Sequence, residues 1–286
     1  MMSATEISSV RVPRGGLGHE MRAVMTVWLR ELIRFRRDPA RMIASLAQPF
    51  LFLFVLGAGL GSLIETGSET ASFTTFLFPG VLAMSVLFTA AFAGISMVWD
   101  REFGFLREML VAPVSTTAIL TGKCLGGATV ATVQSMAILI FAGFAGVPYD
   151  PLMIVEIMGL LFLMSFMITA LGLVLASRVK QVQSAMPLVQ LIITPLMFLS
   201  GALFPLSRLP DWLYWVTHLN PMTYAVAPLR EVVFERLAIT PEVQALLNPP
   251  LLWGGFAVPV WLQALIVAGC CAGLLALAVL LFARSE

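Results

Sequence analysis

Six apolar runs punctuate the chain, near Met42–Ile64, Phe73–Val98, Ala118–Val147, Leu152–Ser177, Ser184–Phe204 and Val258–Ala283. Each is long enough to cross ~30 Å of hydrocarbon as a helix of ~20 residues. Short alternating strands, the other way to span a bilayer, would not leave continuous runs of this length. The pattern predicts an all-α integral membrane domain with six transmembrane helices. Ahead of the first run, His19–Arg37 has a helical period: Met21, Val24, Met25, Trp28, Leu32 and Phe35 share one stripe, and Arg22, Arg30, Arg34 and Arg37 the opposite face. That pattern predicts an interfacial amphipathic helix with its arginines reaching anionic lipid. Asp38-Pro39 breaks it and turns the chain toward the membrane. Residues 1–18 read as a flexible tail.

The segment from Trp99 to Pro113 interrupts the second and third runs with both charge signs, which a bilayer interior would not accept without cost. At 100° per residue it predicts one amphipathic helix. Phe103, Phe105, Leu106, Met109 and Leu110 fall on one arc, Arg101, Gly104, Arg107 and Glu108 on the other, and Pro113 ends it. Glu102 falls within the apolar arc, where it reads either as a first-turn acid favoured by the helix dipole or as a contact to a basic partner group. An apolar ridge flanked by salt-bridging groups predicts a docking element rather than a plain connection.

Residues 207–257 are more than a loop. Leu209–Val216 and Leu219–Tyr224 are aromatic and apolar, predicting short re-entrant helices before the last span, with Leu229–Leu237 as an amphipathic piece. Trp212, Tyr214, Trp215 and Tyr224 read either as an aromatic belt anchor or as a lid over the outer mouth of a path.

Composition agrees with this picture. Hydrophobic residues make up 59% of the chain and charged residues 12%, against about 25% charged in a soluble domain. Fourteen of the 17 basic residues fall in the N-terminal tail, the second-to-third and fourth-to-fifth connections and the C-terminal tail. Only Arg208, Arg230 and Arg236 lie on the other side. Because Lys and Arg are retained in the cytoplasm, both termini and the charged middle segment are expected there. The start is polar and basic with no apolar stretch before residue 42, so no cleaved signal peptide is expected. A net charge of +1 gives no reason to expect nucleic-acid binding.

Cys124, Cys270 and Cys271 fall inside predicted spans without metal-ligand spacing, and read as small buried hydrophobes. Catalytic signatures are missing: Gly122-Lys123 lacks a glycine five positions earlier and is followed by Cys124, so it is no phosphate loop. No catalytic residue and no metal site is assigned. Glu156, one turn into the fourth run, reads as a residue snorkelling to water, with a proton relay as the sharper alternative. Few polar groups lie in the spans (Ser85, Thr89, Gln134, Ser135, Gln190, Thr194), which suits an amphiphilic cargo along an apolar path. Pro187, Pro195 and Gly201 mark the fifth run as the mobile wall, making Gln190, Thr194 and Pro195 candidate path residues.

The order of these features resembles a known family. It comprises the amphipathic helix, six spans, Asp100-Arg101-Glu102-Phe103-Gly104-Phe105-Leu106-Arg107-Glu108 after the second, Leu199–Pro205 ending the fifth, and Leu219-Asn220-Pro221-Met222-Thr223-Tyr224 beyond. From about His19 to Ala283 the chain is similar to the membrane subunit of type-2 ABC exporters, most like the daunorubicin-resistance branch. The resemblance implies a permease of the bacterial inner membrane that dimerises, with an identical or different protomer. It also implies two separate ATPase subunits docking on Asp100–Val111, which includes Arg101, Glu102, Phe103, Phe105, Leu106, Arg107, Glu108 and Met109. ATP and Mg would then belong to those partners, with no cofactor on this chain. The cargo implied is a drug, lipid or lipid-linked saccharide, leaving beneath the aromatic outer segment. Two other classes remain: a non-transporting membrane anchor that recruits a soluble ATPase, and an intramembrane enzyme, for which no polar catalytic cluster is visible.

Overall fold

The computed structural model describes residues 16–61, 72–105, 114–205, 210–237, 239–240, 243–244, 247–253 and 255–285. The chain runs as α1 (Leu17–Arg36), then α2 (Pro39–Leu51), a π-helical turn (Phe52–Leu56) and α3 (Gly57–Gly61). Next come α4 (Phe73–Glu102), α5 (Thr116–Leu139), a 3-10 turn (Ala142–Ala145), α6 (Pro151–Arg178) and α7 (Val182–Phe198). The aromatic outer segment folds as α8 (Asp211–Leu219) and α9 (Pro221–Phe234), followed by a hairpin of β1 (Leu252–Trp253) with antiparallel β2 (Phe256–Ala257) and by α10 (Val260–Ser285). The protein is an all-α membrane protein. Among the described residues, four stretches are long and apolar enough to cross a bilayer: Pro39–Gly59, Phe73–Glu102, Pro151–Arg178 and Val260–Arg284.

The other two expected spans differ from the sequence expectation in instructive ways. The third stops at Leu139, not Val147, because the chain tightens into the 3-10 turn that Tyr149 caps by donating its hydroxyl to the Ile140 carbonyl at 2.6 Å. Glycines, threonines and Lys123 dilute its apolar character. The fifth ends at Phe198 rather than Phe204, because Gly201 adopts φ +76° and turns the chain back. There the Ala202 carbonyl packs so tightly on α4 that a Cβ at Gly80 would lie 2.0 Å from it.

Helix α4 is the hub. It is apolar on every face and buried on almost every side, as expected of a helix surrounded by others. Inside a bilayer, lipid is as apolar as leucine, so association rests on close packing rather than on escape from water. Gly94 of α4 meets Gly172 of α6 on these terms: a Cβ at Gly94 would stand 2.7 Å from the Gly172 Cα. In contrast, α2 and the π-helical turn leave Ile43, Leu51 and Val55 exposed, and α7 leaves Leu191 and Phe198 exposed. In α2 the π-helical turn begins three residues after Pro49, which lacks the N–H that a regular ladder needs.

The amphipathic first helix forms, and Val24 and Trp28 of the predicted stripe pack, but the packed face is rotated away from Met21 and Met25 toward Val27 and Glu31. Met21 and Met25 are exposed at 69% and 50%. The packed side carries Val24, Val27 and Trp28, together with Glu31, which is buried. The reason is a matching groove on α5. A Cβ at Gly122 would meet the Val24 carbonyl and Val27 Cβ at 2.8 Å, and one at Gly126 would meet Glu31 Cβ at 2.6 Å. Small residues four apart let two helix backbones approach closely, and Trp28 Nε1 donates to Thr129 Oγ1 at 3.0 Å to close the contact. The helix is thus seated on the bundle, and not simply floating in the headgroup layer.

Candidate functional site

At one end of the molecule the segment expected to dock a partner begins as the tail of α4. The continuous helix expected from Trp99 to Pro113 is interrupted: α4 closes at Glu102, Phe103 forms a turn, and Gly104 takes φ +83°. An L side chain would be strained there, so glycine ends the helix. Phe103 and Phe105 are exposed at 72% and 53%. Leu106, Arg107, Glu108 and Met109 lie outside the described residues. Arg101 is half-buried and Glu102 exposed, and both bond to neighbouring helices. Arg101 Nη1 donates to the Ala176 and Val179 carbonyls at 3.1 and 3.0 Å, satisfying the C-terminal end of α6, and its guanidinium stacks on Phe282. Glu102 Oε2 accepts the Val182 N–H at 2.9 Å, at the N-terminus of α7.

One residue earlier lies a group of charges that pattern alone does not reveal. Lys123 of α5, 1% exposed, places Nζ 2.6 Å from Asp100 and 3.2 Å from Glu31, and donates to Ser96 Oγ at 2.9 Å. Arg30 reaches Asp100 at 2.9 Å and Glu31 at 3.0 Å, and Arg34 approaches Asp100 at 3.7 Å while its guanidinium lies over Trp99. Burial opposes the charge on Glu31, but Lys123 and Arg30 outweigh it and hold that carboxyl below its ordinary value. Burial likewise opposes the Arg30 charge, and Asp100 with Glu31 more than offsets it. Every member has a partner, which a buried ionic group requires if it is not to cost several kcal/mol. Three helices, α1, α4 and α5, are thereby joined within one turn of Phe103. By sequence, Lys123 and Asp100 belong to the polar connection between the second and third runs. A lysine between Gly122 and Cys124 in an otherwise apolar helix is the signal that could have found them.

At the other end the two sequence blocks Leu199–Pro205 and Leu219–Tyr224 meet. Asn220 caps α9 by accepting the Met222 N–H at 3.0 Å, while its Nδ2 donates to the Leu196 carbonyl at 2.8 Å. Thr223 donates toward the Thr217 and Leu199 carbonyls at 2.6 and 3.3 Å, and Arg230 donates to the Gly201 carbonyl. Asn220, Thr223 and Arg230 therefore satisfy carbonyls that the end of α7 leaves over. Arg230, expected on an amphipathic piece, is buried over the Phe76 ring at 4.4 Å. The four aromatic candidates separate. Trp212 and Trp215 are exposed, whereas Tyr224 is buried and braced, accepting from Trp253 Nε1 at 2.9 Å and donating to the His218 carbonyl at 2.8 Å. Tyr214 ties α8 to the hairpin by donating to the Leu252 carbonyl at 2.6 Å. Glu156 is held by Arg236 at 3.3 Å, which also binds Asp150 at 3.0 Å.

The candidate path residues of α7 share its outer face. Gln190 and Pro195 are exposed, and Gln190 Nε2 donates to Thr194 Oγ1 at 2.9 Å. Gln190 borders a cavity of about 350 Å³ between α2, α4 and α7, with Arg41, Gln48, Phe92 and Trp99 among its walls. Ser85, Gln134 and Ser135 are buried in helix packing and do not line it.

The ABC-2 type transporter family profile matches residues 22–234, most of the chain and both ends just described. The chain belongs to the ABC-2 type transporter family. It is 30% identical over 205 residues to the transport permease ycf38 of Cyanophora paradoxa, covering 70% of each chain. It is 29% identical over 227 residues to nodulation protein J of Rhizobium leguminosarum bv. viciae, covering 77% of this chain and 83% of that one. The chain is thus a multi-pass transport permease subunit of the type-2 ABC class, whose members work with an ABC ATPase. Neither relative's name points to the daunorubicin-resistance branch in particular.

Proposed function

We propose that this permease crosses a bacterial inner membrane six times, with both termini cytoplasmic. In this reading α5 and α7 complete the spans, and α8 and α9 form a re-entrant outer segment. Two permease chains and two ATPase subunits make an ATP-driven exporter, with the ATPases docking on residues 99–113 and all ATP and Mg chemistry residing in them. The observation that carries the reading is the buried ionic junction of Glu31, Asp100 and Lys123 beside exposed Phe103 and Phe105. A soluble partner pushing on that apolar pair would move α1, α4 and α5 together rather than bending a loose loop.

The cargo is an amphiphile: a drug, a lipid or a lipid-linked saccharide. What supports this is the cavity that combines Phe92 and Trp99 with the Arg41 guanidinium, which stacks over both rings. Aromatic faces accept flat drugs and sugar rings alike. In a dimer the exposed faces of α2 and α7 would enclose this path beneath Trp212 and Trp215. The decisive experiment replaces Phe103 and Phe105 with Asp and reconstitutes the complex. Loss of ATPase co-purification from a folded, membrane-inserted permease is expected, and retained binding would refute the docking role. A complex that binds and hydrolyses ATP but moves no amphiphile would point instead to a membrane anchor.

A further inference from the structure

A second hollow, unrelated to the proposed path, lies under α1. It has a volume of about 690 Å³ and opens between α1, α5 and α6, walled by Met21, Met25, Trp28, Leu125, Thr129 and Phe162 with Arg22 at its rim. Its size falls in the ~300–1,000 Å³ range of pockets for drug-sized ligands. Its depth follows from the antiparallel pairing of α5 and α6. Gly127 abuts Thr169, Ser165 Oγ donates to the Ala128 carbonyl at 3.1 Å, and Thr132 Oγ1 lies 3.4 Å from Ser165 Oγ. Phe162 therefore lies beyond Thr132, toward the middle of α6. The hollow runs from the polar end at Gly18 and Arg22 down into the apolar body of the bundle.

Charge completes the description. Arg30 and Arg34 are occupied by Asp100 and Glu31. The nearest acid on the same helix, Glu20, accepts from Ser115. Arg22 is exposed, uses Nε to donate to the Gly18 carbonyl at 3.1 Å, and forms no ion pair among the described residues. An apolar slot with one spare guanidinium at its polar rim matches a molecule with an acyl tail and an anionic head.

We infer that this slot is a binding site for an anionic phospholipid, its acyl chain between Trp28, Thr129 and Phe162 and its phosphate on Arg22. The lipid acts as a wedge that supports α1 from below, and it is distinct from any cargo.

Trp28 serves as the reporter. The permease is placed in nanodiscs with brominated phosphatidylglycerol or brominated phosphatidylcholine, and the quenching of Trp28 is taken as the difference from Trp28→Phe. Phosphatidylglycerol should quench at a mole fraction about fivefold lower than phosphatidylcholine. Arg22→Gln should abolish the difference and Arg22→Lys should keep most of it. Mass spectrometry of lipid retained after detergent washing, comparing unmodified protein with Arg22→Gln, gives the same answer without altering Trp28. Equal quenching by the two lipids, or an unchanged preference in Arg22→Gln, would overturn the assignment. So would displacement by soluble glycerol phosphate, which has the phosphate but no chain. Absence of quenching by either lipid would also refute it.

Discussion

Asp100 and Lys123 face each other at 2.6 Å, and both are almost wholly removed from solvent. The pair sits where α4 is about to leave the bundle and become the exposed Phe103–Phe105 stretch. Position here has a mechanical meaning, because the same lysine also holds Glu31 of α1.

Removing one partner strands the others. Lys123→Met should lower stability in detergent by about 3–5 kcal/mol, since two buried carboxylates lose their shared cation. Thermal unfolding followed by tryptophan fluorescence checks this. The double change Lys123→Met with Glu31→Leu should recover part of the loss, and a mild single-mutant effect would show that the junction is incidental.

The α1–α5 contact depends on volume as well as charge. Gly126→Ala would place a methyl 2.6 Å from Glu31 Cβ. We expect a loss of about 1–3 kcal/mol from overpacking. Gly59→Ala, where a Cβ meets nothing within 4 Å, should be near neutral and serves as the control in the same melting assay.

Acid should loosen this end of the protein in a defined window. The folded-state value of Glu31 is depressed from 4.5 by Lys123 and Arg30 against the opposing effect of burial. A depressed carboxylate contributes stability that is complete above its unfolded value and is lost as pH falls through the folded one. Melting temperature should therefore drop as pH falls below 4.5. Glu31→Gln should flatten that slope, and an identical slope in the variant would contradict the assignment.

Asn220 does two tasks that one substitution can separate. Asn220→Asp keeps the acceptor for the Met222 N–H but cannot donate to the Leu196 carbonyl. Asn220→Ala loses both. The cap is worth about 1–2 kcal/mol, so Ala should be the less stable in thermal melts. Transport should fall in both variants if the tie to α7 matters, and full transport in Asp would separate the tie from function.

Orientation can be read directly from two exposed positions. Trp212→Cys should react with an impermeant maleimide in intact cells, and Phe103→Cys only after the cytoplasmic side is opened. Cys124 and Cys271 are buried, and the half-buried Cys270 is replaced by Ala in the parent to remove background. The reverse pattern would invert the proposed topology.

Much of this was legible in the residues because it depends on local period. The apolar runs, the amphipathic α1 and the paired outer helices each follow from spacing within one element. What the chain hides is contact between elements. Glu31 and Lys123 are 92 positions apart, so nothing in either neighbourhood announces their pairing. Which part of the apolar side of α1 packs is not legible either: the predicted stripe joins Met21 and Met25, which are exposed together with Leu29 and Ile33, to Val24 and Trp28, which pack. The groove of Gly122 and Gly126 on a distant helix decided it. By pattern Gly104 is one more polar-arc position of a continuous helix, and only its backbone angle shows it as a stop. The candidate lid was identified by residue type, which cannot distinguish an exposed Trp212 from a braced Tyr224.

Helix α7 is anchored at both ends by residues of other elements. Glu102 holds the Val182 N–H at its start, and Asn220, Thr223 and Arg230 hold the carbonyls at its finish. Between these anchors, Pro187 and Pro195 supply no N–H to the ladder. A rod clamped at both tips and weakened in two places along its length does not swing; it bows. Displacement of α4 by a partner at Phe103 would reach α7 as compression along its axis. The bulge would appear at mid-length, on the face that carries Gln190, Leu191 and Thr194, while the two tips stayed in register with their neighbours.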